Sequence, residues 1–210
     1  MKFLLACLLA LQLHAELVDK LAITIGQQVI TELQLDEELR VTALLNKQPV
    51  VRDTATRRAA ADRLVQQLLI KKEMDMSRYP PPTDAELNKY YEGVVSQFAG
   101  NATFEAALKS YELTPSTIKN HLTLQLITLL FIQYRFRPAV DISDQEIANA
   151  YQREIQNWTA MHSTPPPPLR DLRDQIVETI TSQRVDYALS AWLEEARKRV
   201  DILYLDKDLE

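Results

Sequence analysis

Three segments of this chain carry a pattern that marks where helices begin. Thr31 to Gln34, Thr83 to Glu86 and Ser143 to Glu146 each place a hydroxyl residue three positions before Gln or Glu, which is the spacing of a capping box. Asp53 and the pair Thr114-Pro115 supply two further helix starts. Only 3 of the 210 residues are glycine, which disfavours phosphate-binding loops, nucleophile elbows and arrays of tight hairpins. The pattern therefore predicts helices joined by capped turns.

Apolar residues recur every three or four positions behind each of these starts. We predict helices that begin near residues 32, 53, 84, 104, 115, 147 and 169, the last of them running from Leu169 to Val200. Residues 122–132 also alternate, so a strand is an alternative there, although the start signal and the length favour a buried helix. Residues 158–168 are rich in proline and are predicted to form a stiff connection that cannot continue a helix.

The two clearest strand signals lie at opposite ends of the chain. Leu21, Ile23 and Ile25 alternate with smaller residues before Gly26, and the segment 29–31 can return as a second strand. Ile202 to Leu205 is a third strand with no local partner. Because an unpaired strand edge invites aggregation, we expect the two ends to pair, within one chain or between two chains as a swapped homodimer. The predicted fold class is mainly α, with a small sheet built from the N-terminal and C-terminal segments.

The first fifteen residues resemble a secretory signal peptide. Lys2 is followed by the apolar run Phe3 to Leu11, and Ala15 offers a small residue at the cleavage position, so the mature chain is expected to begin at Glu16. The run is too short for a permanent membrane anchor. Two alternatives are a lipoprotein signal with lipidation at Cys7 and a chain that is not processed. The signal predicts export to an oxidising compartment.

Charge and composition disfavour several classes of function. The formal net charge is −5, and no concentrated basic face indicates a nucleic-acid partner. Cys7 is the single cysteine, and His121 and His162 have no ligand-type neighbours at metal-binding spacing, so structural roles are favoured for both histidines. Most acidic residues occupy capping boxes or helix faces. We therefore predict no catalytic residue, no metal and no cofactor.

The second helix carries a basic face, which the sequence favours as a surface that balances acidic neighbours. Its members are Arg57, Arg58, Arg63, Lys71 and Lys72. The alternative is a rim that steers acidic ligands by long-range attraction.

The order of these segments resembles the SurA family of periplasmic chaperones and related parvulin-associated proteins. An export signal precedes Val18-Asp19-Lys20-Leu21-Ala22, capped helices follow, and a long helix and a strand close the chain. In that family the opening strand reads valine-aspartate-lysine-valine-alanine, and the last helix and strand return to complete the first module. The resemblance covers nearly all of the mature chain and is strongest at 17–45 and 170–205. It implies ATP-independent binding of unfolded envelope proteins, above all outer-membrane protein precursors.

The chain departs from the family where the parvulin isomerase domains should stand. Only residues 158–168 occupy that place, whereas an independent domain needs at least about 50 residues. The family's histidine-isoleucine-leucine strand and glycine-rich loops have no counterpart. The predicted organisation is a signal peptide (1–15), an N-terminal helical chaperone module (16–157), a proline-rich linker (158–168) and a C-terminal helix and strand (169–210) that complete the same module. Isomerase activity is not implied by this resemblance.

Aromatic side chains are the predicted client-binding residues, because their rings give large apolar contacts and some carry a polar group. The candidates are Tyr90, Tyr91, Phe98, Phe104, Tyr111, Tyr134, Phe136 and Trp158. Core packing is the alternative role for each of them. Two other functions compete with the chaperone: a non-catalytic envelope assembly or scaffold subunit that binds one specific partner and, less favoured, a prolyl isomerase.

Overall fold

The computed structural model describes residues 19–161 and 164–209. The elements are β1 (Leu21–Ile25), β2 (Gln28–Thr31), α1 (Glu32–Asn46), α2 (Thr54–Met76), α3 (Asp84–Ser96), α4 (Asn101–Ser110), α5 (Pro115–Arg135), α6 (Asp144–Met161), α7 (Leu169–Lys198) and β3 (Ile202–Tyr204). The predicted class, mainly helical with a small sheet from both ends of the chain, is confirmed. The predictions about the signal peptide, Cys7 and His162 lie outside the described residues.

All five predicted capping residues form hydrogen-bonded caps. Thr31 and Thr83 form complete capping boxes, and Ser143 exchanges the same two bonds with its partner three residues on. Asp53 accepts from the backbone N–H three residues later, and so does Thr114, which precedes a proline at the first helical position. Each cap satisfies an N–H group that the first turn of a helix leaves unpaired.

Two predicted helix boundaries are wrong. α4 begins at Asn101 rather than Phe104, because Gly100 adopts a φ of 110° that turns the chain directly before the helix. α6 continues through Trp158 to Met161, although the linker was predicted to start at residue 158. The first proline of that segment is Pro165, and proline restricts the residue before it rather than a turn seven residues earlier.

The sheet has the order β2-β1-β3, with β1 antiparallel to both neighbours. Gly26 turns β1 into β2 with a φ of 57°, and its N–H donates to the carbonyl of Asp201 at 2.9 Å. Thr24 pairs with Leu203 across the other edge of β1. The predicted pairing of the two ends of the chain is therefore confirmed, and it occurs within one chain.

Buried side chains form three clusters that share their helices. The first lies between the sheet, α1 and α2, the second between α1, α3, α4 and α5, and the third between α2, α5 and α7. α1 places Leu35 in the first cluster and Leu44 in the second, and α5 places Leu122 in the second and Phe131 in the third. Because α1 and α5 each belong to two clusters, a change in one cluster is transmitted to its neighbour.

Ion pairs also connect the end of the chain to its beginning. Arg57 on α2 donates to Glu32 at 2.9 Å and to Asp206 at 2.6 Å. The side chain of Leu209 is buried in the first cluster. The C-terminal residues therefore return to the N-terminal helices after β3.

Candidate functional site

An open cleft lies between β2, α1, α2 and α5, with a volume of about 270 Å³. Its apolar wall comes from Leu64 and Leu68 on α2, Leu124 on α5, and Val29 and Ile30 on β2. Its polar wall is provided by residues of α1 and by the first half of α5, which are Gln34, Glu37, Glu38, Ser116, Thr117, Asn120 and His121. The cleft thus combines an aliphatic wall with an opposing polar wall of seven residues, and ligand sites in proteins commonly use both kinds of group.

The cleft runs along the edge of the sheet rather than over one of its faces. Neighbouring residues of a strand direct their side chains to opposite faces, yet Val29 and Ile30 both border the cleft. β2 is an outer strand, since its one partner in the sheet is β1. Ile30 is buried, whereas Val29 is 43% exposed. The apolar wall of the cleft therefore continues into an accessible strand edge.

A buried ionic group holds the three helices around the cleft. Glu38 on α1 accepts a hydrogen bond from His121 Nδ1 on α5 at 2.9 Å, and a second from Arg63 Nε on α2 at 3.0 Å. Glu38 is 4% exposed and His121 is 8% exposed. His121 Nε2 is buried and has no hydrogen-bond partner among the described residues, so the ring is oriented through Nδ1. This group fixes the spacing of the polar wall.

The electrostatics of Glu38 favour its charged form. Burial raises the pKa of the carboxyl, but hydrogen bonds and favourable electrostatic interactions with His121 and Arg63 outweigh burial and hold the pKa below its ordinary value. Glu38 therefore carries a negative charge at neutral pH, and its carboxylate accepts from His121, Arg63 and the Thr42 hydroxyl. The group is a positioning device for the walls of the cleft, because both carboxylate oxygens of Glu38 are bonded to neighbouring helices.

Three of the predicted client-binding aromatics lie in the core. Phe104 packs edge-on against Phe98 with ring centroids 5.2 Å apart, and Phe136 packs edge-on against Phe131 at 5.5 Å. Phe98, Phe104 and Phe136 are all buried. In this conformation they present little surface to a client, and their contacts are those of core residues.

The other five aromatics are half-buried: Tyr90, Tyr91, Tyr111, Tyr134 and Trp158. The first three pack against the second cluster, and Tyr134 packs against the third. The Tyr90 hydroxyl donates to Gln125 Oε1 at 3.0 Å, and Tyr134 stacks on Tyr79 with centroids 5.6 Å apart. None of the eight predicted residues borders the cleft. The structure thus does not bring them together at this site, and sequence reasoning missed the aliphatic residues that do form it.

The predicted basic face of α2 is largely paired with carboxylates. Arg57 bonds Glu32 and Asp206, and Arg63 bonds Glu38. Lys71 meets Asp75 one turn later on the same helix. The prediction of a face that balances acidic neighbours is confirmed for these three cations.

The chain matches no family model, and no curated protein matches it. Within 19–161 and 164–209, no helix is both long enough and apolar enough to cross a membrane. We therefore infer function from the cleft, its edge strand and the sequence.

Proposed function

We propose that this protein is an ATP-independent chaperone of the bacterial periplasm, which binds unfolded or partly folded envelope proteins such as outer-membrane precursors. The observation that carries the proposal is the open cleft with its aliphatic wall, set beside an accessible strand edge. Unfolded chains expose aliphatic side chains and unpaired backbone together. The cleft and the strand edge offer a complementary surface for both.

The size of the cleft favours weak and reversible binding. A volume of about 270 Å³ lies just below the usual range for ligand pockets, which is about 300–1,000 Å³. It accommodates a few side chains of a client at a time. Because association also costs translational and rotational freedom, so small a contact releases its client readily. A chaperone without an energy source requires such release.

The aggregation of a client tests the proposal. Mature protein at near-stoichiometric amounts is expected to slow aggregation of an unfolded outer-membrane precursor without nucleotide. Leu124→Glu, which places a charge in the aliphatic wall, is expected to weaken client binding about tenfold, because one buried leucine contributes about 1.5–3 kcal/mol. Light scattering and fluorescence anisotropy measure the two effects. Leu124 belongs to none of the three core clusters, so the variant should stay folded.

Leu129→Glu is the matched control, because Leu129 lies on the same helix, is 50% exposed and does not border the cleft. It should protect clients as well as the unmodified protein. If the precursor aggregates at its normal rate in the presence of the unmodified protein, the proposed chaperone function is wrong. One tight partner in a pull-down, without broad protection, supports the scaffold subunit instead. Faster prolyl cis/trans exchange in a test peptide contradicts the absence of isomerase activity.

The proposed location rests on the pattern of residues 1–15. Sequencing of the mature protein from the periplasmic fraction is expected to begin at Glu16. A mature chain that begins at a lipidated Cys7 contradicts the soluble periplasmic form, and an unprocessed chain in the cytosol contradicts export.

A further inference from the structure

The hydrogen-bond pattern of β1 determines which groups of β2 face outward. Alternate residues of a strand direct their backbone groups to opposite edges. The carbonyl of Ala22 accepts from Leu205 N–H at 2.8 Å, and Gly26 N–H donates to the carbonyl of Asp201 at 2.9 Å. From Ile23 to Ile25, the odd-numbered residues of β1 therefore bond to β2, and Thr24 bonds to β3. Between Leu21 and Ile23 the register of the pairing with β2 shifts, so this alternation does not extend to Thr31.

The outward-facing residue of β2 is Val29. Gln28 and Ile30 stand opposite odd-numbered residues of β1 and bond to them, so Val29 between them faces away from the sheet. By this alternation, the N–H and C=O of Val29 point away from β1 and toward the open edge. Thr31, the last residue of β2, gives its N–H to Gln34 Oε1 at 3.0 Å. Within β2, the open edge thus presents the backbone donor and acceptor of Val29.

We propose that an extended polypeptide segment adds to β2 as a fourth strand, bonded to the backbone of Val29, with an aliphatic side chain in the cleft. The proposal rests on the proposed function and specifies its binding mode. An extended segment has free backbone groups to pair with Val29, whereas a helix uses its own internally. The cleft borders this strand edge through Val29 and Ile30, so the backbone and side-chain contacts can form together.

The preferred segment alternates aliphatic and polar residues. Side chains of an added strand point in turn toward the helices and toward the outer face of the sheet. The inner side of this edge is the cleft, with its aliphatic Leu64, Leu68 and Leu124. Alternation of apolar and polar residues is also the pattern of transmembrane barrel strands. The site therefore fits the segments that an outer-membrane precursor exposes before it folds.

A labelled ten-residue peptide of alternating valine and threonine is the probe. Val29→Pro removes the outward N–H and keeps the bonds of β2 to β1, since proline is tolerated where its nitrogen faces out from an edge strand. We expect this variant to bind the peptide about tenfold more weakly. Val29→Thr keeps the N–H and the branched side chain, and should bind within about threefold of the unmodified protein. Fluorescence anisotropy measures both affinities, and circular dichroism checks the fold.

Amide hydrogen exchange of the unmodified protein supplies a measurement that needs no variant. Addition of the peptide is expected to slow exchange at the Val29 N–H. Peptide binding without that protection, or equal binding by Val29→Pro, overturns strand addition and leaves the proposed function standing. If the unmodified protein neither binds the peptide nor protects a precursor, the proposed function fails. If the protein is a dimer and the Val29 N–H already exchanges slowly without peptide, a second copy of the chain occupies the edge of β2. That result would overturn peptide addition at this edge.

Discussion

Removal of residues 169–210 is expected to abolish cooperative unfolding of the remaining chain. The segment contains α7 and β3, and it contributes to two of the three core clusters. Val185 and Leu193 are buried in the third cluster, and Leu209 is buried in the first. A fully buried aliphatic side chain contributes about 1.5–3 kcal/mol, so these three account for about 5–9 kcal/mol. The total stability of a domain is about 5–15 kcal/mol.

The loss also exposes residues that the fragment would keep. The buried ring of Phe131 loses its contact with Trp192, whose ring centroid is 4.8 Å away. Arg57 loses one of its two carboxylates, Asp206. β1 also loses its neighbour β3, so this central strand becomes an unprotected edge strand. The remaining helices would therefore expose apolar surface and an open strand edge together.

Thermal unfolding of residues 16–168 beside residues 16–210 is the measurement. We expect a broad transition or none for the fragment, and recovery of a cooperative transition when a separate 169–210 chain is added. Tyr187→Ala is a control within the deleted segment, because Tyr187 is 79% exposed, and it should unfold like the unmodified protein. An equally cooperative transition at the same temperature would show that residues 169–210 form a separate element. A melting temperature that rises with protein concentration would indicate the swapped dimer.

Short-range chemistry made much of this fold predictable from the sequence. Each cap joins a side chain to an N–H three residues away, so Thr31, Asp53 and Thr83 could be identified without knowledge of the tertiary structure. The pairing of β1 with β3 spans the whole chain, yet it was predictable because the C-terminal strand had no local partner. The strand order was harder to predict, because a helix instead of a strand could have covered either edge of β1.

The cleft could not be predicted, because its walls come from elements far apart in the sequence. Val29, Leu68 and Leu124 share no local pattern that distinguishes them from core residues. The sequence favoured a structural role for His121, but the partner, Glu38, lies 83 positions away. Likewise, the sequence alone could not predict that Phe104 is buried whereas Tyr90 is half-buried. The apolar pattern of a helix predicts on which side of the helix a residue lies. It does not predict which residues of other helices that side chain contacts.

Glu38→Ala is expected to destabilise the protein by about 3–5 kcal/mol, the effect of removing one partner from a buried ion pair. The substitution leaves His121 buried without a partner for Nδ1, and it deprives Arg63 of its carboxylate. Arg63 is half-exposed and can be hydrated, so the lower part of that range is expected. Denaturant unfolding measures the change in the free energy of unfolding. A change below about 1 kcal/mol, the usual effect of an exposed pair, would contradict a buried structural pair.

Glu178→Ala is the matched control for an exposed pair. Glu178 meets Arg137 at 2.6 Å, but both side chains are about half exposed to solvent. Water screens that pair, and we expect little change in the free energy of unfolding. A double-mutant cycle between Glu38 and His121 then separates their interaction from the individual losses. A negligible coupling would mean that His121 is held by packing and not by the carboxylate.

The stabilisation from Glu38 is also expected to depend on pH, with a sign that follows from its pKa. The pKa of Glu38 is lowered from its ordinary value of 4.5, so the unfolded chain binds the proton more tightly than the folded protein does. The contribution is therefore complete well above pH 4.5 and is lost as the pH falls through the lower pKa of the folded state. Glu38→Gln resembles the protonated carboxyl, so its free energy of unfolding should be below that of the unmodified protein at pH 7. We expect the two values to converge as the pH falls below 4.5. A difference that stays constant between pH 7 and pH 3 would show that the charge of Glu38 does not stabilise the fold.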